Sequence, residues 1–314
     1  MVSLILNENM KLYRHWRTWI MIFFMIGTII FATMLNWYYD RKDAKEMTWQ
    51  QQVTEQKQRM EHQLSNPDLN EESRRYYQDR IALIDYRLAH EIRPTDDTMW
   101  DGINGGAELV IMITLFLVIV AGDSLAGEFS SGTIKLLLIR PASRLKVLLA
   151  KYVSMLMYGI LLLVILFVCS TLLNGLLYQF NHMNLTLLDV NAAGQVVELN
   201  MVANLWKSYL LNGVSTIMFV TMAFMITAAF RSSAMAIGFS IFALFGGMIL
   251  TGILQPYAWS KYLIFPNLLL EQYLGGRPYQ DGMTLGFSII VLCVYFAVFN
   301  LVSWLVFTRR DVAA

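Results

Sequence analysis

Residues 121–151 read AGDSLAGEFSSGTIKLLLIRPASRLKVLLAK, from Ala121 to Lys151, a short charged stretch between two long apolar runs. Its acids, Asp123 and Glu128, come first; its bases, Lys135, Arg140, Arg144 and Lys146, come last. That order suits a helix dipole and an anionic membrane surface. Ile134, Leu136, Leu137, Leu138 and Ile139 make a run too short to cross a bilayer, which takes about 20 residues, and Pro141 sets a break before the next apolar run. An amphipathic segment held between two spans marks an integral membrane protein and gives it a ridge that a cleft on a soluble partner would grip.

The composition agrees. The chain has 314 residues, 56% of them hydrophobic and 15% charged, too apolar for an ordinary soluble domain. A net charge of +1 gives no footprint for nucleic acid. Cys169 and Cys293 both sit inside apolar runs and read as lipid-depth or core residues, not a disulfide framework. His15, His62, His90 and His182 have no metal-ligand spacing, so no metal site is expected.

Outward from the central stretch, the pattern predicts an all-α membrane protein with six transmembrane helices. Residues 1–18 read as an amphipathic helix on the inner surface, with Leu4, Ile5, Leu12 and Trp16 on its apolar side. Residues 19–36 form the first span, read as an uncleaved anchor, and Trp37, Tyr38 and Tyr39 mark its far interface. Residues 37–106 turn polar and predict an extracytoplasmic helical hairpin. Trp49, Val53, Met60 and Leu64 form one stripe, Tyr77, Ile81, Ile84 and Leu88 the other. Asn70 is a helix-start signal and Pro94 a stop. The hairpin is either a solvated spacer or a lid or receptor for a transported molecule.

The remaining spans are 107–121, 147–178, 209–230, 234–254 and 285–307, with the coupling loop at 122–146, an outer loop at 179–204 and a tail at 308–314. The second span is short and should extend into its flanks. Residues 255–283, with Pro266 inside an apolar stretch closed by Gly275-Gly276, read as an outer re-entrant or interfacial segment. Basic residues settle the orientation, because short loops follow the positive-inside rule. Lys11, Arg14 and Arg17, the bases of the central stretch, Arg231, and Arg309-Arg310 fall on one side, while 179–204 has none and 255–283 only Lys261 and Arg277. Both termini are therefore expected in the cytoplasm.

Within the spans ionisable residues are almost absent; Glu108, Lys151 and Lys207 stand at edges. Glu108 and Pro266 are the candidates for an outer gate or pathway. The scarcity of buried charge points away from a carboxylate relay and toward a greasy cargo. Ala234, Gly238 and Gly246 share a face that permits close helix packing, within the chain or against a second copy. The segment from Gly127 to Thr133 has the outline of a phosphate loop, but Gly132 stands where the phosphate-binding lysine belongs and no strand precedes it. No nucleotide site is expected in this chain.

The stretch GEFSSGTIKLLLIRPASRLKVLLAK resembles the signature of bacterial ABC-2 type transporter permeases. It is carried by Glu128, Ser131-Gly132-Thr133, Pro141-Ala142-Ser143-Arg144 and Lys151, over about thirty residues. The six-span plan and the segment around Pro266 are also similar; the large first outer hairpin departs from many members. The resemblance implies that Asp123, Glu128, Ser131, Gly132, Thr133, Arg140, Pro141 and Arg144 form a coupling helix seated in a separate ATP-binding-cassette subunit. It further implies two ATPases, which would hold ATP and magnesium, and a second permease chain, identical or paralogous, in a bacterial cell membrane. The scarcity of buried charge favours a peptide antibiotic, a lipid or a drug as cargo, while the family resembled also includes cation extrusion. The alternative is a sensor or scaffold that binds a ligand through its outer hairpin and recruits a cytoplasmic partner without transport. A membrane enzyme is a third class, against which stands the lack of paired intramembrane carboxylates, a histidine cluster or a Ser/Lys dyad at helical spacing.

Overall fold

The computed structural model describes residues 1–43, 48–67, 69, 71–95, 98–130, 143–181, 183–191, 194–230, 232–274 and 278–309. Six of its helices are long and apolar enough to cross a membrane, and the chain is a multi-pass membrane protein. The elements run α1 (Val2–Arg14), α2 (Trp16–Asp43), α3 (Trp49–Leu64), α4 (Glu71–His90), α5 (Met99–Glu108), α6 (Val110–Ser130) and α7 (Arg144–Leu177). A β-ribbon of β1 (Thr186–Val190) and β2 (Val196–Asn200) follows, then α8 (Met201–Phe230), α9 (Ser233–Leu254), α10 (Ile264–Leu268) and α11 (Leu285–Arg309).

Burial ranks the spans. In the most apolar stretch of the α5–α6 span 61% of residues are buried, and in α8 56%, against 22% in α9 and 11% in α11. The α5–α6 span and α8 therefore form the centre, and α9 and α11 the lipid-facing rim. Helix α7 packs on α1, α2, α5 and α6, while α8 packs on α6, α9 and α11. The core runs from Met25 and Ile29 through Ile113 and Leu117 to Tyr158, Leu162 and Leu166, all nearly inaccessible. Thr114 and Thr216 share a hydrogen bond of 2.7 Å across it, the kind of polar tie that holds helices whose apolar faces are as content in lipid.

Three segments differ from the sequence reading. The second span starts at Met99, capped by Thr98, whose hydroxyl accepts from Trp100 N–H. Asp101, Asn104 and Gly105-Gly106 lower the apolar signal there without breaking the helix. The segment 179–204, read as a loop, contains a β-ribbon: β1 and β2 pair antiparallel with Leu188 opposite Glu198, and α8 begins directly after, at Met201. Gly194 closes the ribbon's turn with φ of +77°, a conformation glycine adopts without cost.

Within this chain, the face of α9 that carries Ala234, Gly238 and Gly246 is not the one that packs. Ala234 and Gly238 are exposed, and a Cβ on Gly246 would meet only its own helix's Phe242. The inward face is Ala236, Ser240, Leu244, Gly247 and Thr251, and Gly247 is the glycine that admits a neighbour, Phe265. Close packing thus uses the adjacent glycine, because the helix is rotated to bury the stripe that carries Ser240 and Thr251.

Outside the bundle, α3 and α4 lie against each other with Val53 and Ile84 buried between them and Lys57 paired to Asp85 at 2.6 Å. Thr48 and Gln51 form a capping box at the start of α3. Helix α4 also rests on the ribbon, where Tyr86 OH donates to Glu198 at 3.0 Å. That carboxylate pushes the Tyr86 phenol up from its ordinary value. Asn70, Gly275, Gly276, Arg231 and the tail beyond Arg309 lie outside the described residues.

The segment after α9 is ordered by side-chain amides in place of a regular helix ladder. Asn267 Nδ2 donates to the carbonyls of Lys261 and Leu263, Gln272 Nε2 to that of Pro266, and Gln280 Nε2 to those of Gln255 and Tyr257. Irregular backbone near a bilayer persists when protein satisfies its polar groups in this way.

Candidate functional site

The end of the bundle where α6 stops and α7 starts, termed the inner end, gathers a charged cluster from five helices. Helix α1 presents Glu8 and Asn9 to α7. Lys151 Nζ lies 2.8 Å from Glu8 Oε2, with side chains 2% and 12% exposed, and Lys11 reaches the other Glu8 oxygen at 2.9 Å. The Lys151 ammonium also donates to the carbonyl of Ser124, on α6, at 3.1 Å. Ser154 donates to Asn9 Oδ1 at 2.7 Å. From α2, Arg17 Nη1 lies 2.7 Å from Asp123 Oδ2, and Ser233 at the head of α9 donates to the other Asp123 oxygen at 3.3 Å. Glu8, Lys11, His15, Arg17, Asp123 and Lys151 line a cavity of about 480 Å³.

Local sequence explains why these side chains meet. The exposed apolar stripe of α1 is Val2, Leu6 and Met10, not the predicted Leu4, Ile5 and Leu12, which are half-buried, and Trp16 belongs to α2; Glu8 and Asn9, on the other side of α1, turn toward α7. That amphipathic placement lays α1 across the bundle end. Burial alone would push the Glu8 carboxyl up, but the charge and hydrogen bond of Lys151, helped by Lys11, hold it below its ordinary 4.5. A carboxylate depressed in the folded state supplies stability above its unfolded value and loses it as pH falls through its folded value. Docking of α1 should therefore survive acidification to pH 4.5 and fail only below it. Hydrogen exchange of residues 2–14, followed from neutral pH downward and corrected for intrinsic rates, checks this. Loss of protection near neutrality would remove Glu8 from the docking contact.

Of the residues predicted from the sequence to couple to a partner, Asp123 joins this cluster directly. Glu128 lies in the last turn of α6 and Arg144 opens α7, capped by Ser143, whose hydroxyl accepts from Lys146 N–H. Ser131, Gly132, Thr133, Arg140 and Pro141 fall in 131–142, outside the described residues. The segment they occupy leaves from and returns to the two helices that the cluster ties together. Glu8 was not singled out from sequence, and the only signal for it was an acid on a helix otherwise basic at its end.

At the opposite end, Glu108 of α5 lines a cavity of about 170 Å³ with Glu271. Thr114, Asn212 and Ser215 add polar groups, and Phe219, Leu244, Phe265 and Leu268 make its apolar wall. Glu271 accepts a hydrogen bond from Ser208 of α8, and Ser215 donates to the carbonyl of Leu268. Pro266 is buried within α10 beside the wall residues, its carbonyl held by Gln272 at 2.9 Å. Glu271 escaped the sequence reading because it lies in a segment with no helical periodicity. Among the described residues no group of three or more His, Cys, Asp or Glu side chains is placed to hold a metal.

A family model described as "Protein of unknown function (DUF2705)" matches residues 77–313. A Bacillus subtilis (strain 168) chain named "Uncharacterized protein YhcI" is 38% identical over 320 residues, covering 100% of both chains. A second chain from the same organism, "Uncharacterized membrane protein YdbK", is 28% identical over 221 residues, covering 69% of this chain and 85% of its own. The family match takes in the bundle from the second span onward and the wall of the cavity at Glu108 and Glu271, and of the inner cavity it takes in Asp123 and Lys151 but not Glu8, Lys11, His15 or Arg17.

Proposed function

We propose, for a chain that belongs to the DUF2705 family, that it is the membrane permease half of an ATP-driven exporter in a bacterial cell membrane. Its termini would lie in the cytoplasm, and a separate ATPase, carrying ATP and magnesium, would dock on the loop around Glu128. A second permease chain, identical or paralogous, and a second ATPase would complete the unit. The observation that carries this reading is the ion-paired cluster at the root of the 131–142 segment. Arg17, Asp123, Ser233, Glu8 and Lys151 connect α1, α2, α6, α7 and α9 at one point. A push on the intervening segment would reach all five helices as rigid-body motion, the form in which packed helices transmit closure. The ABC-2 resemblance of residues 127–151 supports the same assignment, and the apolar outer cavity with its two carboxylates suits an amphipathic or hydrophobic cargo.

Co-purification tests it. The detergent-solubilised chain should recover an ATPase subunit encoded beside it, and Glu128→Arg should cut that recovery by about tenfold or more, since charge reversal in a contact costs upward of 2 kcal/mol. Equal recovery with both chains would remove Glu128 from the contact. Recovery of no ATPase with either, from folded protein, would sink the exporter reading.

A further inference from the structure

We infer that the outer cavity is a receptor for one organic cation, an ammonium or guanidinium group with a short apolar stem, presented by the cargo of the exporter proposed above. Two carboxylates, Glu108 and Glu271, stand at a cavity whose remaining wall is mostly apolar. No basic side chain lines it among the described residues. Glu271 has a hydrogen bond from Ser208, a neutral donor that orients the carboxylate and leaves its charge in place. Glu108 is exposed and Glu271 half-buried, so the rim sets negative charge beside apolar side chains, which attracts a cation that also has apolar surface to bury.

Size and chemistry narrow the class. At about 170 Å³ the cavity falls below the 300–1,000 Å³ of pockets that enclose whole drug-sized ligands. It takes one side chain or headgroup, not a peptide. A bare divalent metal is a poor fit, since calcium asks for about six to eight oxygen ligands and Glu108 and Glu271 are not joined by a third acidic, histidine or cysteine side chain placed to hold a metal among the described residues. Aromatic rings beside an anionic rim suit alkylated ammonium, which keeps weak hydration and gains contact with ring faces.

The probe is benzyltrimethylammonium, with benzyl alcohol as its neutral counterpart, titrated calorimetrically into the full chain in zwitterionic nanodiscs. The wild type should bind the cation saturably and the alcohol at least tenfold more weakly. Glu271→Gln and Glu108→Gln should each weaken the cation by about tenfold, the worth of one close charge–charge contact to a quaternary ammonium, and leave the alcohol unchanged. Equal binding of the two probes by the wild type overturns the inference without recourse to any variant. So does a folded double variant that binds the cation as the wild type does. Neither measurement needs an ATPase. In reconstituted vesicles with the ATPase, carboxylate-dependent binding without probe movement would sink the exporter reading alone. Movement unaffected by the double substitution would sink the cation receptor alone.

Discussion

Glu8→Gln is expected to destabilise the bundle by about 3 kcal/mol, toward the lower end of what removing one partner of a buried ion pair costs. Lys151 lies on a bundle helix with its side chain 2% exposed, and it cannot follow α1 into water. Ser124's carbonyl keeps part of the ammonium's bonding, which holds the loss to the lower end. Lys151→Met should cost less. Glu8 is 12% exposed, retains Lys11 at 2.9 Å and rides on a helix that can lift away. The double variant Glu8→Gln/Lys151→Met should be more stable than Glu8→Gln alone, because replacing both members of a buried pair often comes near to neutral. Thermal unfolding of the four detergent-solubilised proteins gives the cycle. Should the double variant prove no better than Glu8→Gln, the pair is not what fixes α1. On the exporter reading proposed above, the same four proteins give a second readout: with α1 undocked the inner end loses one of its five helices, and ATPase recovery is expected to fall together with stability.

The six spans were legible because lipid demands long apolar runs, and no soluble fold produces so many. What the runs concealed were their polar ends. Met99–Glu108 hides behind Asp101, Asn104 and a glycine pair, although a helix accommodates all of them. The ribbon at 186–200 carries only a brief alternation, Val196 to Asn200, with Gly194 marking its turn, and so short a period gives weak signal. Ion pairs were harder still. Lys151 and Asp123 were visible as charges at the edges of apolar runs, yet their partners Glu8 and Arg17 lie more than a hundred residues away, and nothing local links them. Glu108 could be picked out as an acid at a span's outer edge. Its companion Glu271 could not, because irregular backbone held by Asn267 and Gln272 has no period to read.

Gly102→Leu is expected to break the outer half of the bundle, with a loss above the usual 1–3 kcal/mol of overpacking. Helices α5 and α7 approach closely there. A Cβ on Gly102 would stand 1.9 Å from Asn174 Oδ1 and 2.8 Å from its Nδ2, inside any real contact distance. Asn174 cannot swing clear: it is fully buried, and its amide donates to the Ser170 carbonyl at 2.9 Å. Ser170 in turn donates to the Gly102 carbonyl at 3.3 Å, so the crossing carries its own polar tie. Gly106, one turn on, faces the same helix, with Ser170 Oγ 2.8 Å from where its Cβ would be. Small residues at i and i+4 are what let two membrane helices approach this closely. Gly105 supplies the control. It is exposed, nothing lies within 4 Å of its would-be Cβ, and Gly105→Ala should stabilise α5 by up to about 1 kcal/mol through helix propensity alone. Thermal unfolding in detergent separates the two: Gly102→Leu falls and Gly105→Ala holds or rises. A Gly102→Leu protein as stable as the wild type would mean that α5 does not cross α7 here, and that Glu108, at the end of the same helix, is not fixed on the rim of the outer cavity.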